Sequence, residues 1–181
     1  MINLVSNSET RALLLKEAGI SFVQIPFEFD ESGVKKDDAL NYAYRVVNVK
    51  KEQFFAASNL RENLLFADSC VVVDGQIFGK AKDDDEARFM LKKQSNSQTS
   101  VVTALLFLSE ARNLVNVSVA TYKFAEFSEQ EMEIYIKSGD YLGKAGAMMI
   151  EGFNKKYILS QIGRTTTARG LNTELLKGYL W

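Results

Sequence analysis

Apolar and polar positions divide the chain into short runs and longer periodic stretches. Ile2–Val5 predicts a short strand, Ser6-Asn7-Ser8 a polar turn, and Glu9–Ala18 a helix capped by Ser8 and stopped by Gly19. Leu14 and Ala18 share a face of that helix, and Leu13 and Leu15 broaden it. Ser21–Ile25 predicts a second strand, after which Pro26 opens an acidic turn with Glu28, Asp30 and Glu31. Asp37–Ala57 predicts a long helix with Leu40, Tyr44 and Val47 on one face. The run Leu64–Phe66 reads as a buried strand, with Asp68 where it leaves the sheet. Asp74-Gly75, flanked by Val71–Val73 and Ile77–Phe78, is a tight-hairpin signal. Asp83–Lys93 predicts a helix with Asp83 as cap, Glu86 in the capping-box position and Ala87, Met90 and Leu91 inward. Ser100–Leu108 and Leu114–Phe124 predict paired strands. In the second, Val115, Val117 and Val119 alternate with Asn116, Ser118 and Ala120, as in a half-buried antiparallel strand. Ser128–Lys137 predicts a helix with a Met132/Tyr135/Ile136 face, and Tyr157–Ile162 a further strand. Thr165–Gly170 predicts a loop, and Asn172 caps a final helix. This order predicts an α/β (α+β) fold, a mixed twisted sheet flanked by helices, in a single domain over residues 1–181.

Composition narrows the function. A chain of 181 residues with 46 % apolar and 25 % charged side chains suits a globular protein with a substantial core. The net charge of −1 argues against nucleic acid or acidic lipid as a bulk electrostatic partner. No apolar run approaches the roughly 20 residues that span a bilayer. The first residues lack a basic stretch followed by an apolar one, so no secretory signal is predicted. The one cysteine, Cys70, falls in a predicted strand, and these features together predict a cytoplasmic protein. The absence of histidine excludes Ser-His-Asp and Cys-His nucleophile systems and the usual histidine zinc sites. Any hydrolysis must run on carboxylates, lysines, arginines, hydroxyls and a hard metal such as Mg²⁺.

Three stretches carry candidate chemistry. A strand, a small polar turn and a helix start make an anion site at Ser6–Ser8, where free N–H groups and the helix dipole face the loop. Arg11, in the first helical turn, is unfavourably placed for a cation unless it serves an anion there; otherwise it is a solvated arginine. Asp68 at a strand tip, with Lys80 and Lys82 after the hairpin, suits metal and phosphate, although a lone Asp after an apolar run is more often a turn or cap residue. The acidic run Asp83–Glu86 is most simply a helix start. Gly139–Gly152 places Asp140, Lys144 and Glu151 among glycines and alanines, which suits close approach to a ligand and equally suits a plain loop.

In this order the pieces resemble the Maf family of nucleoside triphosphate pyrophosphatases over nearly the whole chain. The family's Ser-x-Ser-Pro-Arg-Arg turn corresponds to Ser6-Asn7-Ser8-Glu9-Thr10-Arg11, with Glu9 for the proline and Thr10 for the first arginine. The acidic segment matches at Asp30-Glu31, and the tyrosine-to-lysine helix motif at Tyr42 and Lys50. Ala67-Asp68-Ser69, Asp74-Gly75 and Gly79-Lys80-Ala81 match the central signature, and Glu86-Ala87-Arg88 the helix after it. Gly139-Asp140-Tyr141, Lys144-Ala145-Gly146-Ala147 and Glu151-Gly152 match the late signature. Thr99 stands where the family usually has a histidine.

The resemblance implies a Maf/inosine-triphosphatase-like fold with the active-site cleft at strand ends. It implies cleavage of a nucleoside triphosphate to the monophosphate and pyrophosphate, including house-cleaning of non-standard nucleotides. Asp68 would be the general base or would hold, with Glu31, a divalent metal, Mg²⁺ or Mn²⁺. Lys80 would stabilise the transition-state charge. Ser6, Ser8, Arg11, Lys50, Lys82 and Lys144 would bind the triphosphate. Thr10, Ser69 and Glu151 occupy the positions that tune base choice, and the set matches neither family branch. Glu151, an acceptor only, would favour guanine-like bases over pyrimidines. The family is also linked to septum formation, which leaves a non-catalytic regulator of division as the alternative. A homodimer is compatible with the chain.

Overall fold

The computed structural model describes residues 1–180. Its seven strands are β1 (Ile2–Val5), β2 (Phe22–Ile25), β3 (Leu64–Val73), β4 (Gln76–Phe78), β5 (Gln98–Leu108), β6 (Asn113–Phe124) and β7 (Ile158–Ile162). They form one mixed, twisted sheet in the order β2-β1-β3-β5-β6-β7, with β4 paired to β3. Both β2 and β3 run parallel to β1, whereas the β3–β4 and β6–β7 pairs are antiparallel. The helices are α1 (Glu9–Glu17), α2 (Ala39–Ala57), α3 (Asp84–Gln94), α4 (Glu129–Ser138), α5 (Thr165–Ala168) and α6 (Thr173–Leu180). Among the described residues no helix is long and apolar enough to cross a membrane.

Two compact units divide the chain. The first takes residues 1–68, 103–118 and 170–180; the second takes 69–102 and 119–169. In the first, Leu14 and Leu15 of α1 pack on Ile2, Leu4, Leu65, Leu105 and Phe107 of the strands, with Leu171 and Leu176 alongside. In the second, Ala87, Met90 and Leu91 of α3 and Met132, Tyr135 and Ile136 of α4 pack with Val71, Val73, Tyr122 and Phe124. Local signals set these elements as expected. Asp74 (φ +48°) and Gly75 (φ +78°) make the left-handed two-residue turn that joins β3 to β4. Asp83 and Ser128 cap α3 and α4 by accepting the N–H groups of Glu86 and Glu131.

Four expectations need correction. Leu13 of α1 is 47 % exposed, so the buried stripe there is narrower than four positions. On α2, Leu40 and Tyr44 are exposed, and the inward face is Tyr42, Ala43, Val46, Val47, Lys50 and Phe54. On β6, Val115 and Val119 face outward while Ala120, Tyr122 and Phe124 are buried. The half-buried Ser118 hydroxyl instead accepts a hydrogen bond from the Asn172 amide at 2.8 Å, so the polar side of that strand meets a polar partner. Finally, Thr165–Ala168 is a short helix rather than a loop.

Candidate active site

The first unit holds seven of the predicted residues. It begins at the carboxyl ends of β1 and β2, where sites in parallel sheets gather. Ser6 continues β1 by donating its N–H to the Ile25 carbonyl at 3.1 Å, and its own carbonyl accepts from the Gln24 amide at 2.8 Å. The Ser6 hydroxyl then accepts the Ser8 N–H at 3.1 Å, and the Ser8 hydroxyl accepts the Arg11 N–H at 3.3 Å. These two bonds fold the turn and start α1, as small hydroxyl residues at a helix entry do. Arg11 is clamped from two sides. Its Nε donates to the Gly170 carbonyl at 3.0 Å and its Nη1 to the Ser6 hydroxyl at 3.4 Å. Burial lowers the guanidinium's pKa, and the charges of Asp68 and Glu31 offset part of that. Those carboxylates give electrostatic support to a cation placed against the helix dipole. Thr10, beside it, is half-buried.

Lys50 is the centre of the arrangement. It lies on the inward face of α2, 6 % exposed, and its Nζ donates to Asp68 Oδ1 at 2.7 Å and pairs with Glu31 Oε1 at 2.8 Å. The Phe29 ring covers the ammonium, with its centroid 5.4 Å away. A buried charge is tolerated only when paired, and here two carboxylates and an aromatic face supply the pairing. Asp68 is 8 % exposed. It does not end its strand, as its place after the apolar run had suggested. β3 continues to Val73, and Asp68 lies in its middle. The register explains its access: β1 pairs with β3 only at Leu64 and Leu65 and ends at Val5, so β3 outruns its neighbour before Asp68. Glu31 arrives on the loop after β2. Phe27, Phe29, Phe54 and Phe66 interlock beneath that loop with centroid spacings of 4.8–6.5 Å.

The second unit holds the remaining candidates, on a pair of loops. Lys80 bridges Ala145 in an isolated antiparallel contact, and the Gly146 N–H donates to the Gly79 carbonyl at 2.7 Å. The buried Gln94 amide donates to the Gly146 carbonyl at 2.6 Å. At Gly146 the backbone is left-handed (φ +63°), and a Cβ would stand 2.6 Å from the Val71 side chain, so only glycine fits. The result sets Lys80 and Lys144 on adjoining backbones. Lys82 is exposed, and its N–H caps back onto the Glu86 carboxylate at 2.7 Å. Ser69 is half-buried on β3. Glu151 is exposed, with Arg169 Nε at 4.0 Å, an ion pair without a hydrogen bond.

Reasoning from sequence missed Gly170, Gln53, Phe29 and Arg169. The hydrophobic period of α2, read correctly, would have put Lys50 and Gln53 on the side facing the acidic loop. Nothing local marks Gly170, 159 residues from the arginine it anchors. Among the described residues no group of three or more His, Cys, Asp or Glu side chains is placed to hold a metal. Asp68 and Glu31 form a two-carboxylate oxygen set instead.

Comparison with known proteins adds to this geometry. A family profile described as "Maf-like protein" matches residues 1–180. A protein of Nitratiruptor sp. is 40 % identical over 97 % of this chain and 96 % of its own length, and one of Campylobacter jejuni subsp. doylei is 38 % identical over 99 % and 100 %. One of Helicobacter pylori is 35 % identical over 98 % and 93 %. All three bear the name nucleoside triphosphate pyrophosphatase. The solved Staphylococcus aureus Ham1 protein shares the fold, with a TM-score of 0.54 at 14 % identity, over 99 % of this chain and 97 % of that one.

Proposed function

The chain belongs to the Maf-like protein family, and from that premise we propose that it is a nucleoside triphosphate pyrophosphatase with its chemistry at Asp68, Glu31 and Lys50. One observation carries the reading: a buried ammonium ties two carboxylates together at 2.7 and 2.8 Å, and Arg11 lies within electrostatic reach of both. The two carboxylates that meet on this ammonium are the oxygen set a polyphosphate with its cation can use.

Hydrolysis of the α–β anhydride consumes one water, releases a monophosphate and pyrophosphate, and frees a proton. Asp68 either accepts that proton on the oxygen not bonded to Lys50 or uses that oxygen to hold the cation that activates the water. Lys50 keeps the carboxylate oriented. Arg11, the Ser6 hydroxyl and N–H groups at the start of α1 bind phosphate oxygens and offset the charge that builds in the transition state. For Lys80 and Lys144 the support is their family motifs and the paired loops, and for Lys82 its place just after Lys80; all three bind phosphate charge.

A divalent cation suits this donor set. Arg11 and Lys50 balance Asp68 and Glu31, so the group is neutral before a highly charged triphosphate arrives. Asp68 and Glu31 offer hard oxygen ligands to Mg²⁺ or Mn²⁺, which ordinarily fills its remaining positions with phosphate oxygens and water. Bound there, the cation would neutralise phosphate charge and acidify the attacking water. The base preference rests on Glu151, whose acceptor-only edge favours a guanine-like base; Thr10 and Ser69 are small and undemanding.

The test is pyrophosphate release from standard and modified nucleoside triphosphates, with Mg²⁺ or Mn²⁺ and with chelator. Release of equal monophosphate and pyrophosphate that stops with chelator is expected. Folded protein inactive across the panel would overturn the reading.

A further inference from the structure

Glu31 sits on a loop, yet its carboxylate is held on Lys50 at 2.8 Å, and something must keep that loop in place. The Gln53 side chain does so. Its Oε1 accepts the Asp30 N–H at 3.0 Å and its Nε2 donates to the Asp30 carbonyl at 2.6 Å. Both main-chain groups of the residue before Glu31 are thus satisfied by one carboxamide. Gln53 and Lys50 lie one helical turn apart on α2, so they address the same loop from the same side. Further contacts fix the loop's course. Asn7 accepts the Phe27 N–H at 2.9 Å and donates to Glu28 at 2.7 Å, while Asp30 accepts the Ser32 N–H at 2.9 Å. Among the described residues, the Gln53 bonds tie the residue adjoining Glu31 to the helix that carries Lys50.

We infer that Gln53 is a positioning residue: it fastens the Glu31 loop to α2 and so sets how tightly the site holds a divalent cation. Gln53 touches neither cation nor substrate. It acts through the Asp30 backbone, because a carboxylate on an untethered loop must be ordered when the ion binds. The inference rests on the metal role proposed above for Glu31.

The experiment compares wild type, Gln53→Met and Glu31→Gln, with Gln53→Ala as a second variant. Methionine keeps the bulk and helix propensity of glutamine and removes both hydrogen bonds. Mn²⁺ affinity is read by electron paramagnetic resonance of free Mn²⁺, in the presence of a non-hydrolysable α,β-methylene triphosphate. Gln53→Met is expected to weaken Mn²⁺ binding about tenfold. The rate at saturating Mn²⁺ and the thermal midpoint should stay near wild type, which a purely structural role would not give. If Gln53→Met and Gln53→Ala bind Mn²⁺ like wild type while Glu31→Gln binds it weakly, the positioning role is wrong and the Glu31 reading survives. If Glu31→Gln also binds like wild type, the metal role of Glu31 falls and the inference falls with it.

Discussion

The two compact units hold their cations in opposite ways. In the first, Lys50 is buried, bonded to two carboxylates and covered by Phe29, and Arg11 is anchored by Gly170 and Ser6. In the second, Lys80 and Lys82 are exposed and Lys144 is half-buried; among the described residues none of the three forms an ion pair, although their backbones are held by the Gly79–Gly146 pairing. A buried, paired lysine fixes where neighbouring charges stand. An exposed lysine on a rigid backbone supplies charge with little geometry, as a flexible ammonium does. The first arrangement suits a reacting centre and the second suits holding a polyanion.

The sharpest way to break this contrast is to remove each kind of cation. Lys50→Met takes from Asp68 and Glu31 the ammonium bonded to both and leaves them the charge of Arg11. It should cut kcat by on the order of 10²–10⁴ and destabilise the fold by about 1–3 kcal/mol. Lys80→Met should leave the thermal midpoint unchanged and raise KM roughly tenfold, about 1.4 kcal/mol. Steady-state kinetics and thermal denaturation of both variants check the pair. Equal effects on kcat would erase the distinction.

Gly146→Ala probes the backbone that presents the second set. The added methyl meets Val71 at 2.6 Å on a left-handed backbone, so a loss of about 1–3 kcal/mol is expected in chemical denaturation. Combining it with Val71→Ala should cost less than the sum of the two single changes, because the smaller side chain makes room. Additive losses would mean that the clash is not the cause.

A smaller effect belongs to Glu131, whose pKa is lowered first by the Lys156 hydrogen bond and then by that of Tyr157. A depressed carboxylate contributes stability above its unfolded pKa, and loses that contribution as pH falls through its folded value. The gap in thermal midpoint between wild type and Glu131→Gln should therefore be constant above about pH 5 and close in more acidic buffer. A gap that widens on acidification would reverse the sign.

Much of the fold was legible because caps and turns are local. Asp83, Ser128, Asp74-Gly75 and Asn172 each mark a boundary with their own side chain or backbone. The inward faces were harder to read. Leu40 and Tyr44 looked like the buried stripe of α2, but the helix turns Lys50 inward because Asp68 and Glu31 wait there, and those partners lie 18 and 19 residues away in the chain. Val115 and Val119 likewise gave the wrong side of β6, since Asn172 claims Ser118. For the candidate site, the family motifs picked out Arg11, Glu31, Lys50 and Asp68, which the structure brings together, while the clamps on them at Gly170 and Gln53 come only from tertiary structure. Asp68 looked like the end of a strand because its access depends on where β1 stops, which the sequence of β3 does not record.

The central claim is that the carboxylate bonded to Lys50 performs the chemistry. Asp68→Asn tests it most directly, because the amide keeps the size of the side chain and an oxygen acceptor for Lys50 while losing basicity. Pyrophosphate release at saturating triphosphate and metal, measured beside wild type, should fall by on the order of 10²–10⁴ with the thermal midpoint little changed. A variant that folds normally and releases pyrophosphate at the wild-type rate would contradict the account.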